Sequence, residues 1–214
     1  MTFERTPLTT PRRRQDRVSY DAAGVHAVLD EALYGHLGFI ADGRPRVLPT
    51  LCARIGSQLY LHGSTGAGMM LNARGGMPVC LTVTILDGIV LARSWFNHSI
   101  NSRSVVVYGD AQLVTEDDEK WAAMVAIMNH VAAGRADESR EANPREFAAT
   151  AILRLPLVEA SLKVRAGGPL DDDEDLALPH WAGVIPVRTV FAPAEGVGGV
   201  ESPPSISGYR RPAQ

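Results

Sequence analysis

The groups able to do chemistry in this 214-residue chain are one glycine-rich turn and a scatter of histidines. Gly63-Ser64-Thr65-Gly66-Ala67-Gly68 follows a strand-like run and precedes a helix-compatible stretch, so its backbone N–H groups could cradle an anion. No Lys-Ser/Thr follows, which excludes a P-loop, and the glycine order is not that of the dinucleotide fingerprint. An ordinary flexible turn has the same composition, so the turn alone leaves both readings open. His62 is the only ionisable group at its start. It could hydrogen-bond a cofactor or act on a substrate near neutral pH, or be a strand-end histidine tied to backbone.

Other chemistries lack their residues. Histidines 26, 36, 62, 98, 130 and 180 show no His-Glu-x-x-His spacing and no Cys/His cluster, so no zinc site is expected. His26, His36 and His130 read as structural or surface groups, while His98 and His180 stay open. Asp171-Asp172-Asp173-Glu174-Asp175 lacks the glycine and spacing of a calcium loop and reads as a solvated acidic loop. The nearest approach to a hydrolase nucleophile elbow, Ser205-Ile206-Ser207-Gly208, lies in the tail. Cys52 and Cys80 each sit in an apolar run without a Cys-x-x-Cys partner, as buried reduced thiols do.

The elements that must position these groups are mostly short strands. Ser19 reads as an N-cap and Gly35 as a stop for a helix carrying Val25, Val28, Leu29 and Ala32. Leu37–Ala41, Val47–Ile55 and Gln58–His62 form an antiparallel meander around the turn Asp42-Gly43-Arg44-Pro45. Pro78–Ile85 and Ile89–Ala92 flank Asp87-Gly88, a tight-turn signal, and Ser104–Thr115 is a further strand. Thr115 to Asp118 reads as a capping box before a helix whose Trp121, Met124, Val125, Met128 and Val131 form an apolar stripe for the core. Ala151–Leu155, Leu157–Val164 and Trp181–Val190 return to extended character, a pattern suited to a small barrel rather than a βαβ sheet.

Composition bounds the partners. Hydrophobic residues make up 45% and charged residues 21%, which suits one domain with a substantial core. With 21 basic and 24 acidic side chains the net charge is -3, and no basic face for nucleic acid is visible. Arg12-Arg13-Arg14 lies in a Pro/Thr-rich stretch that reads as a mobile arm. No run of eighteen apolar residues occurs, so the expectation is a cytoplasmic protein with no membrane segment.

Read together, Gly43-Arg44-Pro45-Arg46-Val47-Leu48-Pro49-Thr50, Leu59 to Thr65, Asp87 to Ser94 and His98 to Val105 resemble, in this order, the pyridoxamine-phosphate-oxidase-related flavoproteins. The branch near nitroimidazole-resistance reductases is the most similar. Lys163-Val164-Arg165, Gly168-Pro169, the acidic loop and Leu178 to Pro186 match that branch too, so the resemblance spans about residues 20–190.

The resemblance implies a mainly β fold with flanking helices, an FMN-binding split β-barrel over 18–190, between a flexible arm (1–17) and a Pro/Gly-rich extension (191–214). It implies a homodimer whose interface forms two FMN sites, each drawing on both chains. Carried over, Arg46, Val47, Leu48, Pro49 and Thr50 line the isoalloxazine and its pyrimidine edge, where Arg46 or its backbone N–H is the donor. His62, Gly63, Ser64 and Thr65 meet the ribityl phosphate, with Met70 and Leu71 near ring or chain. His98, Ser99, Asn101, Arg103 and Ser104 approach from the partner or rim the substrate face, and Trp181 sits beside the flavin. The family's usual arginine in the phosphate loop is missing, since this chain reads Gly66-Ala67-Gly68-Met69, and its usual tyrosine before Arg103 is Ser102. Phosphate charge then falls to Arg74, Arg103 or loop N–H groups.

The implied activity is that of a flavin-dependent oxidoreductase acting on a small molecule by hydride transfer, reduced by NAD(P)H or a reduced deazaflavin, with His62 as candidate catalytic group. Vitamin B6 phosphate oxidation ranks below it, because no basic site for a second phosphate is evident. The competing class is a non-enzymatic module that stores or senses flavin or holds haem.

Overall fold

The computed structural model describes residues 1–207, apart from the side chains of Arg74 and Ser207. In chain order the elements are β1 (Val18–Ser19), α1 (Ala22–Glu31), β2 (Tyr34–Ala41), β3 (Arg44–Ile55), β4 (Gln58–Ser64), α2 (Gly68–Asn72), β5 (Met77–Leu91) and β6 (Ser99–Leu113). They continue with α3 (Asp117–Val131), α4 (Pro144–Ala149), β7 (Thr150–Pro156), β8 (Glu159–Arg165), β9 (Gly183–Pro186) and α5 (Pro204–Ser207).

Six antiparallel strands close a ring in the order β6-β7-β4-β3-β2-β5, with β5 returning to β6. The seam between β6 and β7 is only Gln112↔Arg154 and Leu113↔Leu153, because β6 spends most of its length on β8 instead. The ring is therefore split rather than evenly closed. Asp42 and Gly43 both take positive φ (53° and 69°), the backbone that a two-residue hairpin turn requires, and so join β2 to β3. Side chains alternate along β2, with Leu37 and Phe39 turned inward. They meet Val25, Val28 and Leu29 of α1, along with Leu81, Val83, Val105, Leu153 and Leu155. A second cluster packs Ala123 and Ile127 of α3 on Ala53, Tyr60 and Ile152.

Several local expectations give way to tertiary contacts. Asp87-Gly88 is not a hairpin turn: β5 runs unbroken past it, and the pairing with β6 merely shifts register between Leu86 and Gly88, a β-bulge. The cap of α1 is Asp21, whose Oδ2 accepts the Gly24 N–H at 2.9 Å, rather than Ser19, and Gly35 lies inside β2. No capping box forms at Thr115, since Glu116 precedes α3 without a side-chain cap. The face of α3 that reaches the core is Ala123 and Ile127, with Met124 of the expected stripe packed against them, while Val125 and Met128 of that stripe are exposed.

The N-terminal residues are not free. Phe3 packs on the core, Arg5 lies 5.0 Å over the Tyr20 ring, and Tyr20 Oη donates to the buried Thr9 carbonyl at 3.0 Å. In the C-terminal stretch Ser205 is buried and its N–H donates to Glu138 Oε1 at 3.1 Å. Gly208 onward, including the end of the Ser205–Gly208 motif, lies outside the described residues.

Candidate functional site

The split leaves one strand edge open. β3 pairs with β4 only from Cys52 to Ile55, while its first half, Arg44–Leu51, pairs with β2 alone. Pro45 and Pro49 lie in that half, and a proline cannot donate to a ladder, so their positions must be the non-hydrogen-bonded ones facing away from β2. Val47 shares their phase. Its N–H therefore points off the open edge, whereas those of Arg46 and Leu48 turn back to β2. The expected backbone donor at Arg46 is thus displaced to Val47, and Arg46 offers its exposed guanidinium instead. Val47 and Leu48 are 64% and 43% exposed, and Pro49 is also exposed. Fully burying a Val or Leu side chain is worth roughly 1.5–3 kcal/mol, and Val47 and Leu48 forgo part of that by standing in water.

The glycine-rich turn is less of a cradle than its composition suggests. Thr65 N–H donates to Ala149 O at 3.0 Å and Ala67 N–H to Ser64 O at 2.9 Å, and Gly66 N–H leans on Ser64 Oγ at 3.4 Å. Gly63 sits close under the Met70 side chain, whose flexible Cε end would stand 2.7 Å from a Cβ there. Met70 is buried in the core rather than presented to a ring, while Leu71 is exposed. His62 faces solvent opposite Ile152, with no side-chain partner among the described residues. The backbone of Arg74 forms a short 3₁₀ turn, and its side chain lies outside the described residues.

The remaining candidates gather at the far end of the β5–β6 hairpin. Arg103 is not a free cation for phosphate. Its Nε and Nη2 donate to Asp87 at 2.9 and 2.8 Å, and its Nη1 and Nη2 donate to Glu31. These two carboxylates hold the guanidinium pKa well above its ordinary value. Asn101 is buried and structural, donating to Gly167 O at 3.1 Å and accepting from Arg165 Nη1. Arg165 also donates to the Gly167 and Gly168 carbonyls at 2.7 Å each, and burial lowers its pKa. Ser99 and Ser104 are half-exposed along β6. Trp181 folds back over Gly183, where a Cβ would meet its ring at 2.7 Å, and leaves most of the indole in solvent.

The turn between β5 and β6 holds contacts that sequence reading missed. Asp171, expected to be solvated, is a buried clamp: its carboxylate accepts from Arg93 N–H and Nη1, each at 2.7 Å. Those bonds, led by the backbone N–H, lower its pKa. Asn97 Nδ2 donates to Asp172 at 3.2 Å, and His98 Nδ1 lies 2.7 Å from Ser94 O. Only the matching positions of Arg93 and the acidic run hinted at this pairing.

Val47 and the tip of the β5–β6 hairpin lie far apart within one chain. Val47 lies across from Gly38, and Gly38 from Cys80. Leu91, at the hairpin end, is eleven residues beyond Cys80 on the same strand, roughly 36 Å of chain at about 3.3 Å per residue.

Comparison with known proteins bears on the whole chain. The pyridoxamine 5'-phosphate oxidase family model matches residues 21–164. No curated protein matches. Among solved structures, the flavocytochrome Anf3 from Azotobacter vinelandii is 36% identical with a TM-score of 0.89, covering 96% of this chain and 97% of that one. The FAD and heme binding protein from Mycobacterium smegmatis is 34% identical with a TM-score of 0.81, covering 90% and 96%. A protein assigned to 5-nitroimidazole antibiotic resistance in Bacteroides thetaiotaomicron shares the fold at 21% identity and a TM-score of 0.58, covering 69% and 86%. The split strand ring, the matched family model and two near-full-length relatives above 30% identity make this chain a member of the pyridoxamine 5'-phosphate oxidase family.

Proposed function

We propose that two copies of this chain bind flavin across their interface and use it for electron transfer, with haem as a second redox group. The observation that carries the reading is the open β3 edge: exposed Val47 and Leu48, one outward backbone donor at Val47, and two exposed guanidinium groups, Arg44 and Arg46, without an ion pair among the described residues. An isoalloxazine ring needs apolar cover, a donor at its pyrimidine edge and positive charge for its phosphate. The edge offers each, and the partner's hairpin end would supply the cover that one chain holds too far away. Sedimentation should give a dimer, with an interface above roughly 2,000 Å². Leu48→Asp should yield monomers without flavin, whereas a monomer that keeps its flavin would refute the shared site.

The glycine-rich turn bears on which flavin is held. Its N–H groups at Thr65 and Ala67 are spent internally and Gly68 supplies no charge, so the grip on one terminal phosphate is weak. FAD, with contacts spread along a longer molecule, suits this better than FMN and is named for the M. smegmatis relative. Flavin released from purified protein and identified by mass decides between them. A flavin held there would supply hydride and electron-transfer chemistry, and a haem single-electron transfer. The protein's own part is to orient the ring on the Val47 N–H, to bias it electrostatically with Arg46, and to exclude water with Leu48 and Trp181. Anaerobic reduction by NAD(P)H or a reduced deazaflavin, then turnover with an electron acceptor, marks the oxidoreductase. Bound chromophore that neither donor reduces marks a storage or sensing module.

A further inference from the structure

An antiparallel sheet with one face in water alternates polar with apolar side chains, so apolar residues on both faces call for cover on both. This sheet has them on both. Residues directly opposite on neighbouring strands share a face, and the register follows the outer face from strand to strand. Val47 lies across from Gly38, Gly38 from Cys80, and Cys80 from Tyr108. Two residues along, Pro49 lies across from His36, His36 from Thr82, and Thr82 from Val106. The alternate phase, with Leu37, Phe39, Leu81, Val105 and Val107, fills the core.

The chain covers part of this outer face itself. Ala53 and Tyr60, opposite each other on β3 and β4, lie under Ala123 and Ile127 of α3, with Leu51 packed against them. Leu51 is in phase with Pro49 and Val47, so α3 shields the same face that the first half of β3 leaves bare. Past Leu51 the cover stops. Val47 is 64% exposed, Ile40 61% and Tyr34 53%, Pro45 and Pro49 are exposed, and Cys80, Thr82, Val106 and Tyr108 are only half-buried.

The chemistry of the bare area selects its occupant. None of these residues is Asp, Glu, Lys or Arg, and the charges of the same phase, Asp110, Glu159 and Lys163, stand at the end of β6 and on β8. An uncharged centre with a charged rim is the composition of a protein interface. A different, charged partner would be met by complementary charge, and the centre offers none. In a twofold contact the same patch meets itself, and any charge in its centre would face its like, so a charge-free face is one that can pair with its own copy. Gly38, between Val47 and Cys80, leaves a dent where an opposing side chain can settle.

We propose that this bare face is the surface on which a second copy docks, sheet against sheet about a twofold axis, with the two sheets about 10 Å apart. The assignment rests on the dimer part of the function above and names its surface. The flavin then lies at the rim of the contact, where Val47 turns its side chain to the partner and its N–H off the open edge.

The test follows the protein as purified by sedimentation velocity over a range of concentrations, with bound flavin read by absorbance in the same samples. Wild type should be dimeric. Ile40→Glu sets like charges into the contact from a position exposed in the single chain, and should weaken the dimer at least a hundredfold. Thr82→Glu should do the same nearer the centre, with circular dichroism confirming that both variants are folded. Val158→Glu, at an exposed apolar position in the turn between β7 and β8, should leave the dimer intact. Cys80 gives a readout that needs no variant: its thiol should be labelled more slowly as wild-type protein is concentrated, reacting through the dissociated chain, while Cys52 waits for unfolding at any concentration. A dimer that survives both glutamate variants, with Cys80 labelling independent of concentration, would overturn the face and leave the shared flavin site to another contact. Monomeric variants that keep their flavin would uphold the face and refute the shared site. Wild type monomeric at every concentration would overturn the self-contact, leaving the face to a different partner, and would remove the dimeric flavin site with it.

Discussion

Arg103 grips Asp87 with two parallel bonds, Nε to Oδ2 at 2.9 Å and Nη2 to Oδ1 at 2.8 Å, across the bulge where β5 slips register on β6. Its other edge takes Glu31 at the end of α1, so one guanidinium ties a helix to the hairpin. Arg103→Ala leaves two carboxylates facing each other without a cation. It should lower stability by about 1.5–3 kcal/mol, discounted for partial exposure, and Arg103→Lys should recover only part, having one point charge in place of a fork. Urea midpoints measure the loss. Affinity of the folded protein for FAD, FMN and riboflavin should fall equally or not at all, whereas a loss confined to the phosphate-bearing flavins would make Arg103 a phosphate ligand after all.

Gly68 marks the missing phosphate arginine, and a Cβ there meets nothing within 4 Å. Gly68→Arg should tighten FMN by roughly 1–3 kcal/mol. Riboflavin, without a phosphate, should bind as before. Fluorescence titration of both ligands separates a phosphate contact from a change in folding, which would move both.

Gly183 is the seat of the Trp181 indole, and a methyl at 2.7 Å from a rigid ring cannot be absorbed by a small adjustment. Gly183→Ala should swing Trp181 out, shift tryptophan emission and weaken flavin binding. Thermal stability should move by less than about 1 kcal/mol, since the ring is mostly exposed. Unchanged flavin affinity together with a shifted emission would remove Trp181 from the flavin site.

Alkaline pH should expose two buried acids. Burial pushes the Cys52 thiol from its ordinary 9.0 up to about 11, and burial, then the hydrogen bond to Glu119, pushes Tyr60 from 10.0 to about 12. Both groups are held protonated in the fold, so their contribution is complete below pH 9, where the unfolded chain is protonated as well. It is lost as pH rises through the folded values, between 9 and 12. Urea midpoints should fall across that window, and Tyr60→Phe should flatten its upper half. At pH 8 Cys52 should resist a thiol reagent until the protein unfolds, with Cys80, only half-buried, reacting first.

Residues close in sequence were largely legible. The meander, the helical stripe of α1 and the family resemblance rest on alternation, turn glycines and short motifs, all local quantities. Asp42-Gly43 is a turn because nothing outside the hairpin competes with it. Asp87-Gly88 carries the same signal and fails, because β6, β9 and Arg103 from elsewhere in the chain hold the strand straight through it. The same holds for charge. Arg103 and Asp171 look like a free cation and a solvated acid until the fold brings Glu31 to one and Arg93, seventy-eight residues away, to the other. The open edge of β3 is likewise invisible locally, since it exists only where β4 turns away toward β7. Backbone preference is a property of a few neighbours and can be read from them. Which donor is spent, which charge is neutralised and which edge lacks a strand depend on long-range pairing that only the tertiary structure decides.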